Sequence, residues 1–209
     1  MSSGDPGTRE KILHAARTLI EERPEGYVRL SDIGRLAGVS RQAVYLHFSS
    51  RAQLLQELAD WIDESERVAE LLQWAIDAAT PAEVLDRITV VHATHRPKVS
   101  AVASALDRAI LENEDVAHVW RQRLEERGKL AARAIQRASE AGALSPDWTE
   151  AEAADFVASL TSFRTWKELT GDYKWSAERY QRTMSRALRE TLLIPKARAL
   201  PGESAGDVG

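Results

Sequence analysis

Cysteine is absent from this 209-residue chain. That excludes disulfides and any thiolate metal site, and suits a reducing cytosol. No N-terminal apolar run resembles a signal peptide, and no stretch approaches the ~20 apolar residues of a membrane span. A cytoplasmic protein with no membrane partner is therefore expected. Strand-like alternation and internal repeats are also missing. So is a catalytic set: there is no Ser-His-Asp order in motif context, no metal-ligand helix and no phosphate loop. The chain is not expected to be an enzyme or to carry a cofactor or metal, and an enzyme on a helical bundle is only the third reading. Lysine is scarce, six residues against 22 arginines, so any single arginine is a weak clue.

What is present is 44% hydrophobic and 29% charged, enough to bury a sizeable core in one large domain or two small ones. Net charge is −4, but it is unevenly spread. Residues 1–51 carry eight Lys/Arg and six Asp/Glu, whereas the remainder is acidic by six charges. A mildly basic head on an acidic body fits a nucleic-acid reader with a second domain of other purpose.

Helical periodicity runs through the chain, and about nine helices are expected. Thr8 can cap the first, whose apolar face is Ile12, Leu13, Ala16, Leu19 and Ile20, with Tyr27 and Leu30 packing back onto it. Residues 31–51, SDIGRLAGVSRQAVYLHFSSR, read as two short helices around a turn. Ile33 and Leu36 give the first an apolar edge, Gly38 can end it in the left-handed conformation, and Ser40 can cap the second. Val44 and Phe48 face inward, which leaves Arg41, Gln42, Tyr45 and Leu46 on other faces. This is a helix-turn-helix, whose second helix normally enters a DNA major groove. A fourth helix is expected from Arg51 to about Ala79. A fifth starts at the capping box Thr80-Pro81-Ala82-Glu83 and stops at Pro97. A sixth covers about Val99 to Glu112, and a seventh reaches Ala141. Thr149-Glu150-Ala151-Glu152 opens an eighth that ends near Thr170-Gly171, and Ser176 caps a ninth that Pro195 ends.

GVSRQAVYLHFSSRAQLL resembles the signature of the TetR/AcrR family of bacterial repressors: Gly-Val-Ser at the turn, then Tyr45, one residue, His47-Phe48, and a basic residue at Arg51. The resemblance implies an all-α fold with a three-helix DNA-binding domain (residues 8–51) and a helical effector-binding and dimerisation domain (52–194). Residues 195–209 are expected to form a disordered tail. It further implies that Tyr45, His47, Arg51 and the Ser40 hydroxyl touch phosphates, and Thr8 is grouped with these DNA-facing residues. By chemistry, Arg41 suits guanine, Gln42 suits adenine, and Leu46 could meet a thymine methyl. One position departs from the family: where relatives carry a capping Ser or Thr before the second helix, this chain has Arg29. Either Ser31 caps a shorter helix, or Arg29 supplies the phosphate contact alone.

For the second domain the resemblance implies a small-molecule pocket and a homodimer. Candidate lining residues are Trp61, Trp74, His92, His95 and Trp120, with Phe156, Leu160, Phe163 and Trp166. They suggest an apolar or aromatic effector. His92 and His95 lie one turn apart, but no third ligand completes a metal set. The dimer interface is expected on the last two helices, from the small residues Ala151, Ala154, Ala158 and Ser162 and from the bulkier Tyr180, Met184, Leu188 and Leu192. The leading reading is a dimeric repressor that a ligand releases from operator DNA. The alternative is a ligand-independent or activating regulator of the same fold.

Overall fold

The computed structural model describes residues 6–23, 26–109 and 114–202. Trp120 lies outside the residues whose side chains are described, and the expected tail beyond Gly202 is likewise outside. The fold is all-α. The described residues form ten α-helices, one π turn and one 3-10 turn, with a single antiparallel bridge between Leu144 and Leu193. None of these helices is long and apolar enough to cross a membrane.

Helix α1 (Pro6–Glu22) starts at a proline, whose missing N–H costs nothing there. Thr8 therefore sits inside the first turn rather than capping it. Helix α2 (Leu30–Ala37) ends at Gly38, whose φ of 69° sends the chain into the turn, and α3 is Arg41–His47. Helix α4 (Arg51–Ser65) is capped by Ser50. It stops well short of the expected Ala79, because Arg67 adopts φ 53° and breaks it before α5 (Val68–Ile76). Helix α6 (Pro81–Ala109) opens on the expected Thr80–Glu83 capping box, then runs through Pro97 and joins two expected helices. Proline costs a backbone hydrogen bond there. Burial of Val91 and Ala93 before it, and of Val99 and Val102 after it, keeps the helix going.

Helix α7 (Glu114–Glu140) is followed by Gly142 at φ 60°. Helix α8 (Glu150–Leu160) has the expected Thr149–Glu152 box but ends ten residues early. Ser162 caps a separate five-residue α9 (Phe163–Lys167), which passes into the π turn Glu168–Asp172. Helix α10 (Ala177–Leu192) is capped by Ser176 as expected. The segment after it is not loose as far as Gly202. Arg189 donates to the Arg198 carbonyl at 2.6 Å, Arg198 donates back to the Leu193 carbonyl at 2.8 Å, and Leu200 packs on the core.

The chain divides into two compact units, Met1–Glu66 with Lys98–Arg123, and Arg67–Pro97 with Leu124–Gly209. In the first, α1 to α4 and the later part of α6 enclose one core that includes Ile12, Leu13, Ile33, Val44, Phe48, Leu58 and Leu106. Burying each such side chain contributes roughly 1.5–3 kcal/mol. The Arg9–Glu57 pair, at 2.6 Å, ties α1 to α4, and Arg123 bridges Asp60 and Asp63 at 2.6 and 2.9 Å. In the second unit, one core gathers Leu85, Ile135, Ala153, Val157, Leu188 and Leu192, and a smaller one gathers Ile76, Val84, Ile88 and Val91.

Candidate functional site

In the first unit the helix-turn-helix is held from beneath. Val44 and Phe48 are fully buried, and this fixes the roll of α3. Ser40 accepts from the Ala43 amide at 3.1 Å, the cap expected from sequence. With that face pinned, Arg41, Gln42, Tyr45 and Leu46 are exposed, Leu46 at 72%. Leu36 is also exposed, at 51%, rather than forming the inner edge expected of it. Ile33 anchors that part of α2, aided by Gly34, where an added Cβ would crowd Val44 and the turn.

Beside α3 lies an open groove of about 510 Å³. It is lined by Arg29, Arg41 and Arg51, by the hydroxyls of Tyr27, Ser31, Tyr45, Ser49 and Ser50, and by Leu30. Three guanidiniums and five hydroxyls, with no carboxylate among the described residues that line it, make a surface complementary to phosphate oxygens. The arginines are partly preset. The Arg41 guanidinium lies 5.4 Å from the Tyr45 ring centroid. That of Arg51 lies 4.5 Å from the Tyr27 ring, and its Nε donates to the Val28 carbonyl at 3.4 Å. Tyr27, expected to pack inward, is instead 64% exposed. Arg29 occupies the N-cap position of α2 with extended backbone and no side-chain cap, and Ser31 lies within the helix. The question left by sequence is thus answered structurally: α2 has no side-chain cap, and Arg29 faces the groove. His47 is half-buried at the end of α3, and Thr8 is half-buried on α1.

In the second unit, the residues expected to line a pocket separate into groups. His92 and His95 are buried on α6, and Phe163 and Trp166 are buried on α9. Trp166 meets Tyr180 edge-on, with centroids 4.8 Å apart, and the Tyr180 hydroxyl donates to the Leu160 carbonyl at 3.0 Å. One turn beyond His92, Arg96 donates to the Thr161 carbonyl at 2.9 Å. That carbonyl is exposed to it by the break between α8 and α9. Desolvation, then the charges of Arg96, Arg127 and His95, hold His92 well below the ordinary histidine value. Burial pushes the Tyr180 hydroxyl up to about 12 against the opposing pull of Arg96 and Arg127. Burial likewise lowers the pKa of Arg127. The other candidates lie elsewhere. Trp74 is 46% exposed under the Arg87 guanidinium, and Phe156 packs against Trp148. Trp61 belongs to the first unit, edge-on to His14. No group of three His, Cys, Asp or Glu among the described residues could hold a metal ion.

Residues 12–58 match the family model of bacterial regulatory proteins of the TetR family. The fold as a whole agrees. NalD, the secondary repressor of the MexAB-OprM multidrug efflux pump in Pseudomonas aeruginosa, superposes with a TM-score of 0.67 at 21% identity, covering 90% of this chain and 98% of that one. Residues 12–58 form a TetR-family DNA-binding domain. The chain is a DNA-binding regulator and not an enzyme. The structure of SmeT in complex with triclosan is similar over 94% of this chain and 96% of its own, with TM-score 0.72 and 17% identity. Among curated proteins, the nucleoid occlusion factor SlmA of Marinobacter nauticus is 26% identical over 159 residues, 75% of this chain and 81% of that protein. The chain spans only about half the length of several other SlmA proteins that it matches.

The residues expected at a dimer interface lie otherwise than expected. Tyr180, Met184, Leu188 and Leu192 are buried inside the single chain, so they do not form an outer stripe awaiting a partner. Ser162 is not on α8 but caps α9. Ala151 is exposed, and Ala154 and Ala158 are half-buried on α8. Sequence reasoning missed Tyr27, Gly34, Ser49 and Ser50 in the head. In the second unit it missed Arg96, Arg127 and Thr161. A signal existed for one of these: Arg96 stands four residues after His92 and therefore shares its face.

Proposed function

We propose that the chain is a dimeric repressor, acting on operator DNA in the cytoplasm, that leaves its operator when a small molecule binds in the unit containing His92 and Tyr180. The observation that carries the DNA half is the exposed outer face of α3 beside a groove lined, among the described residues, by three arginines and no carboxylate. Arg29, Tyr45, His47, Arg51 and the Ser40 terminus position the helix on phosphates, with Thr8 on α1 alongside, while Arg41, Gln42 and Leu46 read base edges. A second copy supplies the second half-site, through α8 and the outer face of α10. Release requires that the ligand bind one head spacing better than the other. Relatives described as a pump repressor and as a triclosan complex favour this reading.

The second reading is a ligand-independent regulator of the same fold, and the similarity over 159 residues to SlmA, named a nucleoid occlusion factor rather than a ligand-responsive repressor, keeps it in view. One experiment covers both. Duplexes selected from a random pool are measured by fluorescence anisotropy at two salt concentrations, then challenged with a ligand panel. Tyr45→Phe and Arg51→Ala should weaken all duplexes and flatten the salt slope. Gln42→Ala should change which sequence is preferred. Uniform weakening by Gln42→Ala would make it a positioning residue. Binding without sequence preference would sink the sequence-specific reading at this surface, and release by no ligand would favour the ligand-independent alternative.

A further inference from the structure

The cluster around His92 has a sign, and the sign bears on the effector. Four groups that carry or can carry positive charge converge within the second unit: His92, His95 and Arg96 on α6, and Arg127 on α7. Among the described residues, none of the groups that act on His92, Arg127 or Tyr180 is a carboxylate. His92 is only 8% exposed, and its Nε2 is buried with no hydrogen-bond partner among the described residues. Arg127 Nε is in the same position. Orphaned buried groups of this kind are rare, because each forfeits its solvation without compensation. Aromatic residues lie close by: the charges of Arg96 and Arg127 act on Tyr180, whose ring packs edge-on against the buried Trp166.

We infer that this cluster is the recognition point for an organic anion, a small carboxylic acid with an apolar or aromatic body, bound with its carboxylate on Arg127 and His92. The inference rests on the ligand-gated reading above and narrows it: the effector is not a neutral hydrophobe. A carboxylate accepts charge-assisted hydrogen bonds from a guanidinium and an imidazole N–H together, which satisfies both orphaned nitrogens. A metal cation is disfavoured by the same charges. An uncharged ligand would leave the half-buried Arg127 without a counter-charge.

The test uses the full chain with 1-naphthoate and its neutral isostere 1-naphthamide as probes, in titration calorimetry at pH 7. The acid should bind roughly tenfold or more tightly than the amide, and Arg127→Gln should remove that preference. Arg127→Lys, which keeps the charge, should retain part of it, and it guards against a variant that merely unfolds. Both are checked by circular dichroism and melting. Equal affinity for acid and amide, or binding of neither at millimolar concentration, overturns the inference, as does an acid preference that survives Arg127→Gln. Operator binding is read in parallel. If the acid binds but leaves operator affinity unchanged, the anion site stands and the gating reading falls. If the amide releases DNA as well as the acid does, gating stands and the anion inference falls.

Discussion

Gly34→Ala probes how closely the two helices of the reading head must approach. A Cβ at Gly34 would lie 3.1 Å from Val44 Cγ2 and 3.2 Å from the Val39 carbonyl oxygen. Carbon atoms pack best at about 3.5–4.0 Å, so the neighbours must yield by a few tenths of an ångström. Neither yields easily, since Val44 is fully buried and the carbonyl is backbone in the turn. Alanine gains about 1 kcal/mol over glycine in a helix interior, whereas overpacking costs typically 1–3 kcal/mol. The net expectation is a loss of about 1 kcal/mol, read by urea unfolding. Operator affinity should fall by more than this, on the order of tenfold or 1.4 kcal/mol. The reason is geometric: a protein still almost wholly folded loses no affinity through stability, but a shifted α3 re-aims Arg41 and Gln42. Val44→Ala supplies the control. Alone it should cost about 2 kcal/mol, and in the Gly34→Ala background about 1 kcal/mol less. The reasoning fails if Gly34→Ala stabilises by the full helix-propensity gain with operator affinity intact, or if Val44→Ala costs the same in both backgrounds.

Removing the α3 cap by Ser40→Ala should cost about 1 kcal/mol in denaturant unfolding; no measurable change would mean that the Ala43 amide finds another acceptor. Tyr180→Phe deletes the hydroxyl that donates to Leu160 at 3.0 Å and should cost about 1–2 kcal/mol, which an unchanged urea midpoint would contradict. His92 makes stability depend on pH. Its folded pKa is lowered, so the unfolded chain takes up a proton below the ordinary value of 6.5 while the folded chain does not. The contribution is therefore complete above pH 6.5. It declines as pH falls from there towards the folded value, at about 1.4 kcal/mol per pH unit. His92→Gln should remove that component from the stability–pH profile, and superimposable profiles would refute it.

The reading head was legible because its determinants are local. Gly38, Ser40, Val44 and Phe48 act through spacing of one to four residues, and each stands where spacing puts it. What sequence could not show were the contacts that close over distance. Tyr27 under Arg51 spans 24 positions, and Gly34 against Val44 depends on a packing distance that no periodicity encodes. The helix breaks were hidden for another reason. Arg67 in the left-handed region carries no glycine to announce it. At Leu160, helical spacing continues unbroken across a change of direction signalled only by Ser162, a residue equally at home mid-helix on a polar face. Pro97 misled in the opposite sense, because a local helix breaker was outvoted by burial on both sides.

The second unit shows where such reading stops in principle. Helical periodicity reports which residues are buried but not what satisfies them. His92, His95, Phe163 and Trp166 were legible as an inner face, and they are buried. The arginines were not legible as part of it. With 22 arginines in the chain, nothing distinguishes Arg127 from a solvated neighbour until its burial and its orphaned Nε are seen. The aromatic residues alone suggest an apolar effector, yet an apolar wall discriminates weakly, one methylene being worth only about 1–3 kcal/mol. Buried polar groups discriminate far more sharply, because a wrong ligand leaves them unpaired. If a ligand gates this regulator, its selectivity therefore resides in Arg127 and His92 more than in the tryptophans, and a change of effector class would be reached by substituting those two positions first.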